Sequence, residues 1–206
     1  MKVLLLNCSP HADGTTHAAL AELGRALAEN GVDSEIYHIG GGPIALCGAC
    51  GGCGKTGRCV KQDGVNEVIE KMEHCDGLIV GSPVHYASVS GGASAFLDRL
   101  FFAGGRSFRL KPAAAVVCAR RAGCTNAFDT LNKYFTFSQM PVVSSQYWNV
   151  VYGRSAEDIQ NDEEGLQILR TLARNMAWLL RCIDAGKQAG VPLPETEPVI
   201  RTNFIR

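Results

Sequence analysis

The stretch KVLLLNCSPHADGTT, Lys2 to Thr16, changes character twice. Lys2 to Asn7 is a short apolar run with no polar alternation, as expected of a strand buried on both faces. It empties into a polar loop containing Gly14. From Thr16 to Asn30 the leucines fall at Leu20, Leu23 and Leu27, a helical spacing, and Gly31 stands where a helix stops. A buried strand, a loop and an amphipathic helix in that order open a βαβ unit.

The pattern repeats along the chain. Asp33 to Ile39 alternates as a second strand, and Asp63 can cap a helix whose inner face is Val65, Val68, Ile69 and Met72. Gly77 to Ser82 reads as a third strand ended by Pro83, and Gly91 to Phe102 as a helix. Ala113 to Ala119 is a fourth strand, Thr125 to Phe135 a helix and Val142 to Val150 a fifth strand. The longest periodic segment runs from Asn161 to Lys187, with Leu166, Leu169, Leu172, Met176, Leu180 and Ile183 as its buried stripe. Trp178 and Cys182 are expected in core positions on it, and Cys8 and Cys118 in core strands. These elements make one domain, residues 1–190, followed by an extended tail, 191–206. Strands alternating with helices predict an α/β fold with a parallel sheet covered on both faces. Ligands of such sheets bind beyond the carboxyl ends of the strands, so the loops there hold the chemistry.

The first of them, SPHADGTT, offers hydroxyls, a flexible glycine and the free N–H groups of a helix start. It suits a phosphate held without metal, or equally an ordinary turn with Thr15 or Thr16 as N-cap. No G-x-G-x-x-G follows the first strand. Gly54-Lys55-Thr56 imitates the end of a P-loop, but the earlier glycine that motif needs falls on Ala49. A mononucleotide is favoured. The loop after the third strand, GSPVHYASVSG (Gly81 to Gly91), provides apolar and aromatic faces and backbone amides for a heterocycle.

Together, SPHADGTT and GSPVHYASVSG resemble the flavodoxin-like NADPH-dependent FMN reductase family; ARRAGCTNAFDTLNKYF and MPVVSSQYWN extend the likeness over nearly the whole chain. The resemblance implies a flavodoxin-like three-layer sandwich with a five-stranded parallel sheet of order 2-1-3-4-5. It implies FMN with its phosphate on Ser9, His11, Gly14, Thr15 and Thr16, His11 standing where an arginine is common. The isoalloxazine would lie against Pro83, Val84, His85, Tyr86 and Ser88, with Ala119, Arg120, Arg121 and Gly123 over its other edge. No residue is assigned a catalytic role, since a flavin does its redox chemistry at its own ring.

One loop is set apart. CGACGGCGKTGRC, inserted after the second strand, places Cys47, Cys50, Cys53 and Cys59 at the spacing C-x2-C-x2-C-x5-C among glycines. Short intervals suit a cubane cluster; zinc, a redox disulfide and free thiols stay open on spacing alone. The motif resembles that of the iron–sulfur flavoproteins, a branch of the same reductases. That implies a 4Fe-4S cluster near FMN, with the neighbouring subunit's flavin as electron partner in a homodimer or homotetramer.

Whole-chain properties bound these readings. The 206 residues carry twenty basic and twenty acidic side chains, so no electrostatic case exists for a nucleic-acid partner or a polybasic membrane anchor. No apolar run approaches membrane-spanning length. A cytoplasmic location is expected, where nine cysteines would be reduced. The expected activity is an FMN-dependent oxidoreductase taking electrons from NAD(P)H or ferredoxin and delivering them to a flavin, quinone or other small acceptor. The alternatives are a flavodoxin-type carrier that does not oxidise NAD(P)H and, against the neutral charge, a metal-knuckle interaction module.

Overall fold

Alternate residues of the first strand serve two different cores. The computed structural model describes residues 1–202 and 204. In it, β1 (Lys2–Asn7) sends Leu4 and Leu6 into one core and Val3 and Leu5 into another, all of them fully buried. At about 1.5–3 kcal/mol for each large apolar side chain taken from water, a strand with two dry faces must occupy the middle of the sheet.

There it lies between β2 (Asp33–His38) and β3 (Gly77–His85), parallel to both. β5 (Ala113–Ala119) pairs with β3, and β6 (Val150–Tyr152) closes the far edge. The order is β2-β1-β3-β5-β6, which is the expected parallel path. A further strand, β4 (Ser88–Val89), runs antiparallel to the end of β3. Among the described residues the sheet therefore has six strands rather than five, the extra one being a hairpin arm too short to show as a pattern.

One core is closed by α3 (Gly64–Glu73), α4 (Gly91–Gly104) and α5 (Cys124–Phe137). The other is closed by α1 (Thr15–Glu29) and α6 (Glu163–Gln188). Asp63 caps α3 as expected, accepting the Val65 N–H at 3.2 Å. The one-turn α2 (Cys53–Thr56) lies inside the cysteine loop. From Val191 the described residues form no helix or strand, and Arg109 Nη2 donates to the Pro194 carbonyl at 3.3 Å.

Four expectations are corrected. Pro83 does not end β3, which continues to His85 with Pro83 opposite Cys118. Gly81 turns its carbonyl to β1, accepting from the Cys8 N–H at 2.8 Å. By alternation Pro83 faces that same side, where β1 has already left the sheet, so its missing donor breaks no ladder bond. Second, Val142 to Val150 is not one strand. Val142 bridges to Ala113 and Val150 pairs with Val117, so eight steps of chain face four and the surplus bulges outward. Asn149 mends the ladder there, its Nδ2 donating to the Ala115 carbonyl at 3.0 Å and its carbonyl accepting from Val117 at 2.9 Å. Third and fourth, Trp178 and Cys182 are not core residues: Trp178 is 65% exposed and Cys182 is exposed, because both lie off the stripe that faces the sheet.

Candidate functional site

The carboxyl ends of β1, β3 and β5 lie side by side, since the three strands are parallel neighbours. The loop from Cys8 to Gly14 is shaped by Asn7, the last residue of β1, which is fully buried. Its Oδ1 accepts the Ser9 N–H at 3.1 Å and its Nδ2 donates to the Ala12 carbonyl at 3.2 Å. Ser9 Oγ then accepts the His11 N–H at 3.0 Å. From β2, His38 Nε2 donates to the Ser9 carbonyl at 2.8 Å; from the start of α4, Ser90 Oγ donates to the Cys8 carbonyl at 3.0 Å. Three elements thus hold one turn of backbone.

What that turn presents is a helix start without a cap. No side chain caps α1 at Gly14. Thr16 is 1% exposed, yet among the described residues its Oγ1 has no oxygen or nitrogen partner. The Cys118 thiol, pushed up to about 12 by burial and so neutral, lies beside it. A buried polar group left open costs about 1–3 kcal/mol, whereas uncapped N–H groups and a hydroxyl together suit an anion. The loop fits a phosphate. Ser9 and Thr16 are buried, Gly14 and Thr15 half-buried, and His11 exposed at the rim.

The turn after β3 is equally specific. Tyr86 and Ala87 form the two-residue turn between β3 and β4, with φ of 48° and 57°. Both are non-glycine residues in the left-handed region, a strain of roughly 1–2 kcal/mol each. The turn holds Tyr86 wholly in solvent beside exposed His85, while Pro83, Val84 and Ser88 are half-buried beneath. Gly123, at φ +89°, lies so close that a Cβ there would be 2.7 Å from Ala87 Cα. Asn126 Nδ2 completes the clasp by donating to the Ala87 carbonyl at 2.6 Å. Gly123 therefore joins the Pro83–Ser88 segment, with Ala119 buried at the end of β5. Arg120 and Arg121 are exposed and form no hydrogen bond or ion pair among the described residues. Cys124, at the start of α5, is buried with its Sγ 3.9 Å from the Tyr152 hydroxyl.

Cys47, Cys50, Cys53 and Cys59 all line one cavity of about 220 Å³, walled also by Arg99 and Phe102. Ala49, Gly51 and Gly57 take positive φ (48°, 70° and 69°), which lets so short a loop turn repeatedly. All four thiols are free. Among the described residues no three His, Cys, Asp or Glu side chains converge where they could hold a metal ion. The thiols ring a space instead of meeting at a point. Cys59 is the most firmly held: Asn66 Oδ1 accepts its N–H at 2.8 Å and Asn66 Nδ2 donates to its carbonyl at 2.9 Å.

The model of the NADPH-dependent FMN reductases matches residues 1–154. The chain belongs to that family. An iron–sulfur flavoprotein of Methanocaldococcus jannaschii is 29% identical over 191 residues, covering 89% of this chain and 99% of the relative. Another, from Methanosarcina thermophila, is 24% identical and covers 91% of this chain and 99% of its own. Among solved structures, RosB with bound 8-demethyl-8-formylriboflavin-5′-phosphate superposes with a TM-score of 0.68 at 16% identity, over 100% of this chain and 92% of that one. FerB, an NAD(P)H:(acceptor) oxidoreductase from Paracoccus denitrificans, gives 0.63 at 18% identity, over 88% and 97%. These likenesses show the flavodoxin-like fold. Membership of the FMN reductase family supports an FMN-dependent oxidoreductase.

In this chain the residues that shape the site without signalling it in the sequence are Asn7, His38, Ser90, Asn126, Asn66 and Arg99. Of these only Asn7 carried a local hint, a polar residue ending an apolar strand.

Proposed function

We propose that this chain binds FMN beyond the carboxyl ends of β1, β3 and β5 and exchanges electrons there with NAD(P)H or a ferredoxin-type donor. From FMN they pass to a flavin, quinone or other small acceptor, or singly through a 4Fe-4S cluster on Cys47, Cys50, Cys53 and Cys59. The observation that carries the flavin part is the buried Thr16 hydroxyl, without an oxygen or nitrogen partner among the described residues, at an uncapped helix start after β1, the strand paired with the β3 whose end carries a strained, aromatic turn. Bound FMN supplies the step between two-electron and one-electron chemistry.

The chain's own residues bind and orient. Thr16, Ser9 and the first N–H groups of α1 would hold the phosphate, the helix dipole favouring its charge. Pro83 to Ser88, braced by Gly123 and Asn126, would set the plane of the ring. Arg120 and Arg121 stand free at the rim, where a nicotinamide dinucleotide would bring its phosphates.

For the cysteine loop, the residues fit a cluster better than zinc. Zinc needs its four sulfurs at about 2.3 Å from one point, whereas a cluster several atoms across meets thiolates at its corners, and these thiols surround a cavity. Leu46, Val60 and Phe102 leave an exposed apolar collar near that cavity. A second copy covering the collar, in a homodimer or homotetramer, would shield the cluster from water.

Anaerobic purification, an absorption spectrum and iron and sulfide assays test this reading. Flavin bands with a broad brown shoulder are expected, with flavin bleached by NADH or NADPH in stopped flow. Protein that refuses added FMN sinks the flavin site. FMN binding without bleaching by either nicotinamide favours the carrier instead.

A further inference from the structure

Arg99 lies under the cysteine loop, 2% exposed, with every edge of its guanidinium occupied. Nη1 and Nη2 grip Asp63 at 2.6 and 2.8 Å. The other edge, Nε and Nη2, points at Cys59 Sγ, both at 3.3 Å. Nη1 also reaches the Ala45 carbonyl at 3.4 Å and Nη2 the Lys61 carbonyl at 3.5 Å. One planar cation thus ties the chain before Cys47 to the chain after Cys59.

The Cys59 edge is chemically odd for a merely structural arginine. Asp63 already balances the charge, and a neutral thiol is a poor acceptor for two charged N–H groups. A sulfur carrying negative charge is a good one, and in a buried setting such bonds strengthen. Cys53 Sγ meets only the Phe102 carbonyl, at 3.7 Å, and Cys50 is exposed. The four positions are therefore unequal, and the difference is concentrated at Cys59.

We infer that Arg99 is a positioning residue for the cluster: it holds Cys59 in place as a pre-formed ligand and, through two N–H groups on that sulfur, raises the cluster's reduction potential. The inference rests on the cluster reading above. One-electron reduction of a cluster breaks no bond, and it adds negative charge shared by irons, sulfides and thiolates. A cation bonded to one thiolate stabilises the reduced form more than the oxidised one, since hydrogen bonds to sulfur and local charge set such potentials.

The test uses the full chain, purified anaerobically or reconstituted with iron and sulfide, in redox titrations with dithionite. Cluster and flavin midpoints are read in the same sample, beside iron and sulfide content. Arg99→Gln is expected to move the cluster midpoint negative, Arg99→Lys less so, and the flavin midpoint to stay put. Asp63→Asn, which removes the competing anion and leaves the guanidinium on Cys59, is expected to move it positive. Should Arg99→Gln lose its iron, Arg99→Lys carries the reading: a negative shift supports the inference and a wild-type midpoint overturns it. Arg99→Gln with full iron content and an unmoved midpoint overturns it, as do Arg99 and Asp63 variants shifting in the same direction. Wild-type protein that binds FMN but neither iron nor sulfide overturns the underlying cluster reading instead.

Discussion

An alanine at Gly123 tests the clasp between the β3–β4 turn and the start of α5. The change carries two costs. At φ +89° an alanine sits in the left-handed region, roughly 1–2 kcal/mol above its preferred backbone. Its Cβ would also stand 2.7 Å from Ala87 Cα, 3.0 Å from Ala87 Cβ and 3.1 Å from Val84 Cγ1. The first of these is backbone and cannot swing aside, so the loop must shift, an overpacking cost of about 1–3 kcal/mol. Gly31→Ala is the internal control. Its φ of +72° carries the same conformational cost, but nothing lies within 4 Å of its Cβ. Urea denaturation of the apo forms should therefore show a loss of about 3 kcal/mol for Gly123→Ala against roughly 1–2 kcal/mol for Gly31→Ala. FMN titration should show at least a tenfold weaker complex for Gly123→Ala only. Equal losses in the two variants would mean that no close contact exists at Gly123. Unchanged FMN affinity would remove this edge from the ring pocket.

Other outcomes follow from the same structure. Thr16→Val keeps the methyl group that packs under Gly81 and deletes the unpartnered hydroxyl, so apo stability should hold or rise by up to about 1 kcal/mol while FMN affinity falls roughly tenfold to a hundredfold. Thermal melting and flavin fluorescence check the two halves separately; parallel loss of both contradicts the phosphate role. Ala87→Gly relieves a residue held at φ 57° and should raise apo stability by about 1 kcal/mol, with FMN bound more weakly because the turn is no longer pre-set. The Arg99 guanidinium beside Asp63 holds that carboxyl below its usual range. Its contribution is fully present above the unfolded carboxylate value, about 3.9, and disappears as pH falls through the lower folded value. The stability gap between wild type and Asp63→Asn, measured by urea titration, should accordingly narrow as pH drops below about 4. A gap independent of pH contradicts the ion pair.

Much of the fold could be read locally because its signals are local. The two-faced apolar run Lys2–Asn7 demands a central strand, and the spacings of Leu20, Leu23 and Leu27 or of Val65, Val68 and Met72 demand helices against it. Motif residues Ser9, Gly14, Thr15 and Thr16 sit together because SPHADGTT runs directly from the end of β1 into the start of α1. Misreadings arose where a neighbour strand decided the matter. Pro83 looks like a terminator until β1 is seen to have left its side of the sheet. Val142–Val150 looks continuous until its register against Ala113–Val117 is fixed, and Trp178 looks apolar enough for a core until the face of α6 is known.

The chain's own pattern of apolar residues, glycines and cysteines was enough to establish a doubly covered parallel sheet and a thiol-rich insertion and to point to the first loop as a phosphate candidate, since each is a property of neighbours along the backbone. Packing alone brought His38 and Ser90 onto the loop after β1, pressed Gly123 against Ala87, and turned Arg99 toward Cys59 and Asp63. Those contacts join residues 29 to 82 positions apart. Direction and distance between such groups depend on how whole elements stack, and no periodicity in one element encodes where another will lie.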